Sequence, residues 1–253
     1  MSEGISYQKG DKIKAVKSGG RSSNLDVRSR SYIGEGGNGV IDRVHIAFES
    51  GDRNREFVVK RYVGHKPTEK AEKAIRAYDM LKDAGLKNIP GTFRLIVPEK
   101  DSILMTNYNT ASEVAFSMPQ NKAKEAEGIK IDQVINLDEV IPKLDEDILR
   151  ASESELIVHH DAYFVQVPRS GGAVAIKVFI VDLDGVSRIK GSSPTELYRE
   201  NVSQLYRALT DALWGRFTHK KDYNEFRLKL TDWKDEAIST WHAWKKGVEE
   251  SKR

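Results

Sequence analysis

The chain has no cysteine among its 253 residues. Disulfides, thiolate-held zinc and cysteine nucleophiles are thereby excluded. It has no apolar run near the roughly 18 residues that a spanning helix needs. The first residues, Met1-Ser2-Glu3-Gly4-Ile5-Ser6-Tyr7, show no apolar stretch after a basic start, so a Sec-type signal peptide is not expected. Nor is there a large charge excess: 41 Lys and Arg against 38 Asp and Glu leave +3. A dedicated nucleic-acid binder concentrates a basic face, so no nucleic-acid partner is expected. What remains, 39% hydrophobic and 31% charged residues, is the composition of an ordinary folded chain, long enough for one large domain or two small lobes.

Three regions differ in pattern. Residues 1–31 are rich in Ser, Gly and Lys and carry seven Lys or Arg against three acids, which predicts a flexible basic tail. From Tyr32 to Asn107 short strands dominate: Val40 to Phe48, then Phe57-Val58-Val59, then Phe93 to Val97 and Ile103 to Met105. Between the second and third of these, Ala71, Ala74, Ile75, Tyr78 and Leu81 share a helical face, with Gly85 as the stop. Residues 108–253 read as mostly helical. Residues 120–156 are expected to form two or three helical pieces broken near Gly128 and Pro142. One interruption, Tyr163 to Val167, the turn Arg169 to Gly172, then Ala173 to Val181, predicts a hairpin. Ser193-Pro194-Thr195-Glu196 is a helix start, and Trp233, Trp241 and Trp244 mark a packed C-terminal stripe.

Four sites carry chemistry. Gly34-Glu35-Gly36-Gly37-Asn38-Gly39 is a GxGxxG element, whose glycines let backbone N–H groups approach phosphate oxygens. A strand follows it rather than a helix, which excludes a dinucleotide-binding fingerprint. Lys60 closes the apolar strand after it. His159-His160-Asp161 follows the apolar triplet Leu156-Ile157-Val158; adjacent histidine side chains diverge, which argues against a metal pair. Asp182-Leu183-Asp184-Gly185 ends another apolar strand, and carboxylates two apart on a strand share a side, which suits a hard cation. The Asp-x-Asp pair also fits haloacid-dehalogenase-type phosphatases and glycosyltransferases. Both need a parallel α/β domain that this sequence lacks.

In their order, these elements resemble the protein-kinase-like superfamily, from about Tyr32 to Leu213, and its minimal bacterial effector-type members in particular. The resemblance implies an α+β, two-lobed fold: a small antiparallel-sheet N-lobe with one helix over 32–107 and a reduced helical C-lobe over 108–253. It implies ATP and Mg2+ as cofactors. Gly34, Gly36, Gly37, Gly39 and Lys60 would hold the phosphates, with Glu72 or Glu69 pairing Lys60 and Met105 completing the nucleotide set. Asp161 would be the catalytic base and His159 would orient its loop. Asp182, Asp184 and Gln166, the fifth residue after Asp161, would ligate the metal. The expected partner is a protein substrate bearing Ser or Thr, one of a host cell in the effector case. The chain is expected to act as a soluble monomer, in the cytoplasm or secreted into a host by a Sec-independent route. Two alternatives stay open: a small-molecule kinase of the aminoglycoside type, for which the acidic 120–156 stretch is an argument, and a nucleotide-binding pseudokinase scaffold. The segment after Asp182 is a stub, with no Ala-Pro-Glu, which leaves no long activation loop to order by phosphorylation.

Overall fold

The computed structural model describes residues 9–17, 20–36, 39–48, 51–91, 93–97, 99–119 and 126–251, with backbone alone at 36, 48, 51–54 and 241–251. The chain divides into two compact units, Met1–Asp79 with Pro90–Asn107, and Met80–Ile89 with Tyr108–Arg253. One division falls after Asn107, and residues 80–89 go with the second unit.

The first unit is built on six strands: β1 (Lys12–Val16), β2 (Ser22–Gly36), β3 (Gly39–Phe48), β4 (Gly51–Tyr62), β5 (Phe93–Val97) and β6 (Ser102–Thr106). They close a barrel in the order β1-β2-β3-β4-β6-β5, every pairing antiparallel. Alternation explains the closure. Ile13, Ala15, Leu25, Val27, Val44, Ile46, Phe57, Val59, Ile96 and Leu104 form one buried cluster, while their neighbours in sequence face outward. The helix α1 (Pro67–Asp83) joins β4 to β5, and its Tyr78 stacks on Phe93 with ring centroids 5.2 Å apart.

This architecture corrects the basic tail. Residues 12–16 and 22–31 are strand, and Arg30 donates to the buried carboxylate of Asp42 at 2.6 Å. The apolar residues there are few but spaced by two, and Lys12 and Lys14 sit exposed on the other face of β1. An average over both faces hides a half-buried strand. Residues 1–8 of the expected tail lie outside the described residues. The added β1 pairs with both β2 and β5, which turns the small sheet into a closed barrel and leaves neither edge bare.

Among its described residues the second unit holds three α-helices, α2 (Leu137–Glu153), α3 (Pro194–Leu213) and α4 (Lys220–Ser251). Between and around them run β7 (Glu113–Phe116), β8 (Ile131–Val134), β9 (Leu156–Val158), β10 (Tyr163–Pro168), β11 (Gly172–Val174), β12 (Lys177–Ile180) and β13 (Val186–Arg188). The capping box expected at Ser193 forms, with the Glu196 amide donating to Ser193 Oγ and the Ser193 amide to Glu196 Oε2. Two expectations change. Pro142 does not break α2 but lies within its first turns. The hairpin is made by β10 and β12, with β7 on the other side of β10; β11 leaves it to pair in parallel with β8. Of the expected tryptophan stripe, Trp233 is half-buried and the side chains of Trp241 and Trp244 lie outside the described residues. Among the described side chains of α4, Phe226 and Leu230 are buried, beside Phe217.

Buried polar groups pin this unit. Asp147 on α2 accepts from the Lys87 and Asn88 amides, both at 2.8 Å, and from Asn88 Nδ2 at 2.9 Å. Burial, and secondarily the Asp147 charge, pushes the Tyr163 phenol well above its usual range. Tyr198 is pushed up by burial first and by its bond to Asp145 second. A phenol whose folded pKa is raised contributes stability that is present below about pH 10 and is lost as pH rises through the folded value. Denaturant unfolding should therefore show stability falling above about pH 10, and Tyr163→Phe should flatten that fall. An unchanged slope in the variant would contradict this account of the core.

Candidate functional site

In the first unit, register places the glycine-rich strand and Lys60 in one row. Gly34 lies opposite Ile41, Ile41 opposite Lys60, and Lys60 opposite Ile103, one row across β2, β3, β4 and β6. Val59 points into the barrel core, so its neighbour Lys60 stands on the outer face. There it is buried, its Nζ 4.9 Å from the Tyr62 ring centroid. The glycines have unequal reasons to be glycine. At Gly39 a Cβ would meet the Arg61 carbonyl oxygen at 2.6 Å, so packing against β4 demands the residue. At Gly34 nothing lies within 4 Å of a built Cβ. A strand glycine without a packing reason leaves backbone open to close approach. Gly36 pairs with Gly39 at the end of the ladder, and Gly37 lies outside the described residues. Met105 is buried in β6 opposite Val58 and Phe93.

The expected Lys60–glutamate pair is not made. Glu69 bonds Lys66 and Glu72 pairs with Arg76 at 3.7 Å, both on the solvent side of α1. The buried residues of that helix are Ala71, Ala74, Ala77, Tyr78 and Leu81, none of them acidic. The spacing that places Ala71 and Ala74 inward turns Glu72 away.

In the second unit, the segments around Asp161 and Asp182 are knitted by backbone bonds. The Val181 amide donates to the Ala162 carbonyl at 2.8 Å and the Asp182 amide to the same oxygen at 3.2 Å; the His159 amide donates to Gly185 at 2.8 Å. β9 and β13, which flank these turns, pair with Val158 opposite Val186. A Cβ on Gly185 would stand 2.7 Å from Asp161 Oδ1, so any larger residue would displace that carboxylate. Asp161 is exposed, and Asp182 and Asp184 are half-buried on either side of the buried Leu183.

Helix α3 supports this cluster from below. The fully buried Asn201 accepts from the Val158 amide at 2.9 Å and donates to the Leu156 carbonyl at 2.9 Å. Gln204, one turn on, accepts from the His160 amide at 2.8 Å and lies 3.1 Å from His160 Nδ1. His160, not His159, is therefore the histidine that fastens the loop; His159 is exposed. Asn201 and Gln204 were not among the expected site residues. The signal for Asn201 was an amide inside an otherwise apolar stripe with Leu197, Leu205 and Leu209, where a buried polar group needs partners.

Two metal-ligand expectations need correction. Gln166 sits in β10, at the strand expected over Tyr163 to Val167, buried and opposite Lys177 and Ala115. It lies about 10 Å along the strand from Tyr163. Its amide nitrogen donates to the Tyr108 carbonyl at 2.6 Å, which makes it an anchor of the strand. Asp182 and Asp184 are not on a strand; β12 ends at Ile180, and Leu183–Gly185 form a single 3-10 turn, so the alternation argument for aligned carboxylates lapses. Among the described residues, no group of three or more His, Asp or Glu is arranged as a metal-binding set. Two hard carboxylates still fit Mg2+, which takes one or two protein carboxylates and completes its shell with water and phosphate oxygens.

No protein-family model and no curated protein matches the chain. Among the described residues, no helix is long and apolar enough to cross a membrane.

Proposed function

We propose that this protein is an ATP- and Mg2+-dependent phosphotransferase, a minimal atypical Ser/Thr protein kinase. The observation that carries this reading is the pinned pair of turns in the second unit, where Asp161 rests against Gly185 three residues after Asp182. The first unit supports it: a glycine-rich β2–β3 hairpin, a buried lysine on the next strand, a helix, and two more strands, in kinase order behind one added strand.

Each residue has a defined task in this reading. The open backbone at Gly34 and the Lys60 ammonium bind phosphate oxygens. Asp182, aided by Asp184, holds the cation. Asp161 accepts the proton of the attacking hydroxyl, and Gln204 and Asn201 keep its loop in place. When bound, Mg-ATP supplies the transferable phosphoryl group and the charge neutralisation; the chain supplies position. The acceptor is a Ser or Thr of another protein, that of a host cell if the chain is delivered as an effector.

One observation favours a second reading. Glu72 faces solvent and Gln166 is a buried strand anchor, so two parts common in active kinases are missing from their expected places. A nucleotide-binding pseudokinase would tolerate both. In either reading, Mg-ATP at about a hundred times its Kd should stabilise the protein by about 2.7 kcal/mol. A thermal melt with and without Mg-ATP measures this, and Lys60→Met should lose most of the shift while keeping the nucleotide-free melting temperature. No shift in the wild type would remove both readings together.

A further inference from the structure

The second unit also carries a groove whose lining is unlike the turns around Asp161 and Asp182. A groove of about 630 Å³ runs between α2 and α4, with α3 at its side. Ile141, Asp145 and Leu149 recur every fourth residue along α2, and Trp233 and Ala237 do so along α4. Tyr198 enters from α3. The floor is thus apolar and aromatic. The charged residues lining it are Asp145, Glu153 and Glu236, all acidic, with no Lys or Arg among them.

Asp145 is the central feature. Tyr198 Oη donates to its Oδ1 at 2.7 Å, which fixes the carboxylate, and both residues line the groove. No second hydrogen bond to Asp145 is present among the described residues, so Oδ2 is left for whatever enters. Burial raises the Asp145 pKa, a sign that its charge has given up part of its hydration without a cationic partner.

From the groove, its uniformly acidic lining and the Asp145–Tyr198 pair beside Trp233, we propose that this is a binding site for an organic ammonium with an apolar body. The ammonium meets Asp145 Oδ2 and the indole face, and the apolar body lies along Ile141 and Leu149. The volume suits a small ligand, since such pockets span about 300–1,000 Å³. A recessed carboxylate held by a phenol favours a small cation over a basic helix, whose charges would sit at the rim. An indole adds attraction for a cation that a neutral isostere does not receive. The inference stands on these residues alone and does not depend on phosphate transfer.

The test is calorimetric titration of the full chain with 4-phenylbutylamine and with its neutral counterpart 4-phenylbutanol. The amine should bind saturably and at least about tenfold more tightly than the alcohol. Asp145→Asn, which can still accept from Tyr198, should erase that preference. Trp233→Leu, which keeps an apolar wall, should weaken the amine more than the alcohol and serves if the first variant melts early. Equal binding of amine and alcohol overturns the proposal, as does absence of saturable binding at millimolar amine. A self-association that Trp233→Leu abolishes would assign the groove to a second copy of the chain, and tighter capture of a basic amphipathic peptide than of the amine would assign it to a protein partner; both overturn it.

Discussion

Asp182→Ala and Asp161→Ala are each expected to fold as the wild type does and to transfer phosphate at least about a thousandfold more slowly. The stability half of this expectation comes from the surroundings. Asp161 is exposed, and the bonds that shape the turns run through backbone atoms of His159, Ala162, Val181, Asp182 and Gly185. Removing either carboxylate leaves those bonds and the Asn201 and Gln204 supports intact. The activity half follows from the proposed tasks: Asp161 alone takes the proton, and Asp184 only assists Asp182 in holding the cation. Gln166 is committed to Tyr108 inside β10, so it cannot replace a lost cation ligand. Parallel melting curves and single-turnover transfer rates check both halves. A variant that melts early and loses activity in proportion would mean that the carboxylates are structural.

Arg216→Ala is expected to be the most destabilising single change outside the site, by about 4 kcal/mol. Arg216 is fully buried. Its guanidinium donates to the carbonyls of Ala212 at 3.0 Å, Ala126 at 2.9 Å and Met118 at 3.2 Å, and it lies 3.7 Å from the Phe116 ring centroid. No carboxylate is among these partners, and burial lowers its pKa to about 10. The charge is thus held by backbone dipoles and an aromatic face. Truncation orphans these carbonyls and empties the volume of the side chain, while Arg216→Lys supplies one donor group where a planar fork reached three oxygens. Both variants should lower the denaturation midpoint, alanine more. A loss under about 1 kcal/mol for alanine would show that the network is not what holds this end of α3.

The order of elements was legible in the sequence because it rests on period and punctuation. The helix on Ala71, Ala74, Tyr78 and Leu81 and the cap at Ser193 follow from local pattern, while the strand expected to close at Lys60 begins at Gly51 and runs on to Tyr62. The tail was misread because Ile13, Ala15, Leu25 and Val27 are few and separated by lysine, arginine and serine; only the pairing of β1 with both β2 and β5 makes them a core. Gln166 was misplaced for a different reason. The resemblance gives it a ligand's role by counting five residues from Asp161, although it falls in the strand expected over Tyr163 to Val167, where Tyr163, Val165 and Val167 alternate into the interior. Glu72 was misplaced by proximity in sequence, which ignores the helix face. Asn201, Gln204 and Arg216 act across separations of more than 40 residues; local pattern marked Asn201 as an amide in an apolar stripe but named no partner for any of the three.

The central claim is phosphate transfer, and the most direct measurement is transfer of labelled γ-phosphate from Mg-ATP with a eukaryotic lysate as acceptor. The account predicts a labelled protein band that is present with the wild type and absent with Asp182→Ala. Label that leaves ATP without entering protein would move the acceptor to a small molecule. Label that stays in ATP, from a protein that Mg-ATP stabilises, would contradict the claim and leave a nucleotide-binding scaffold.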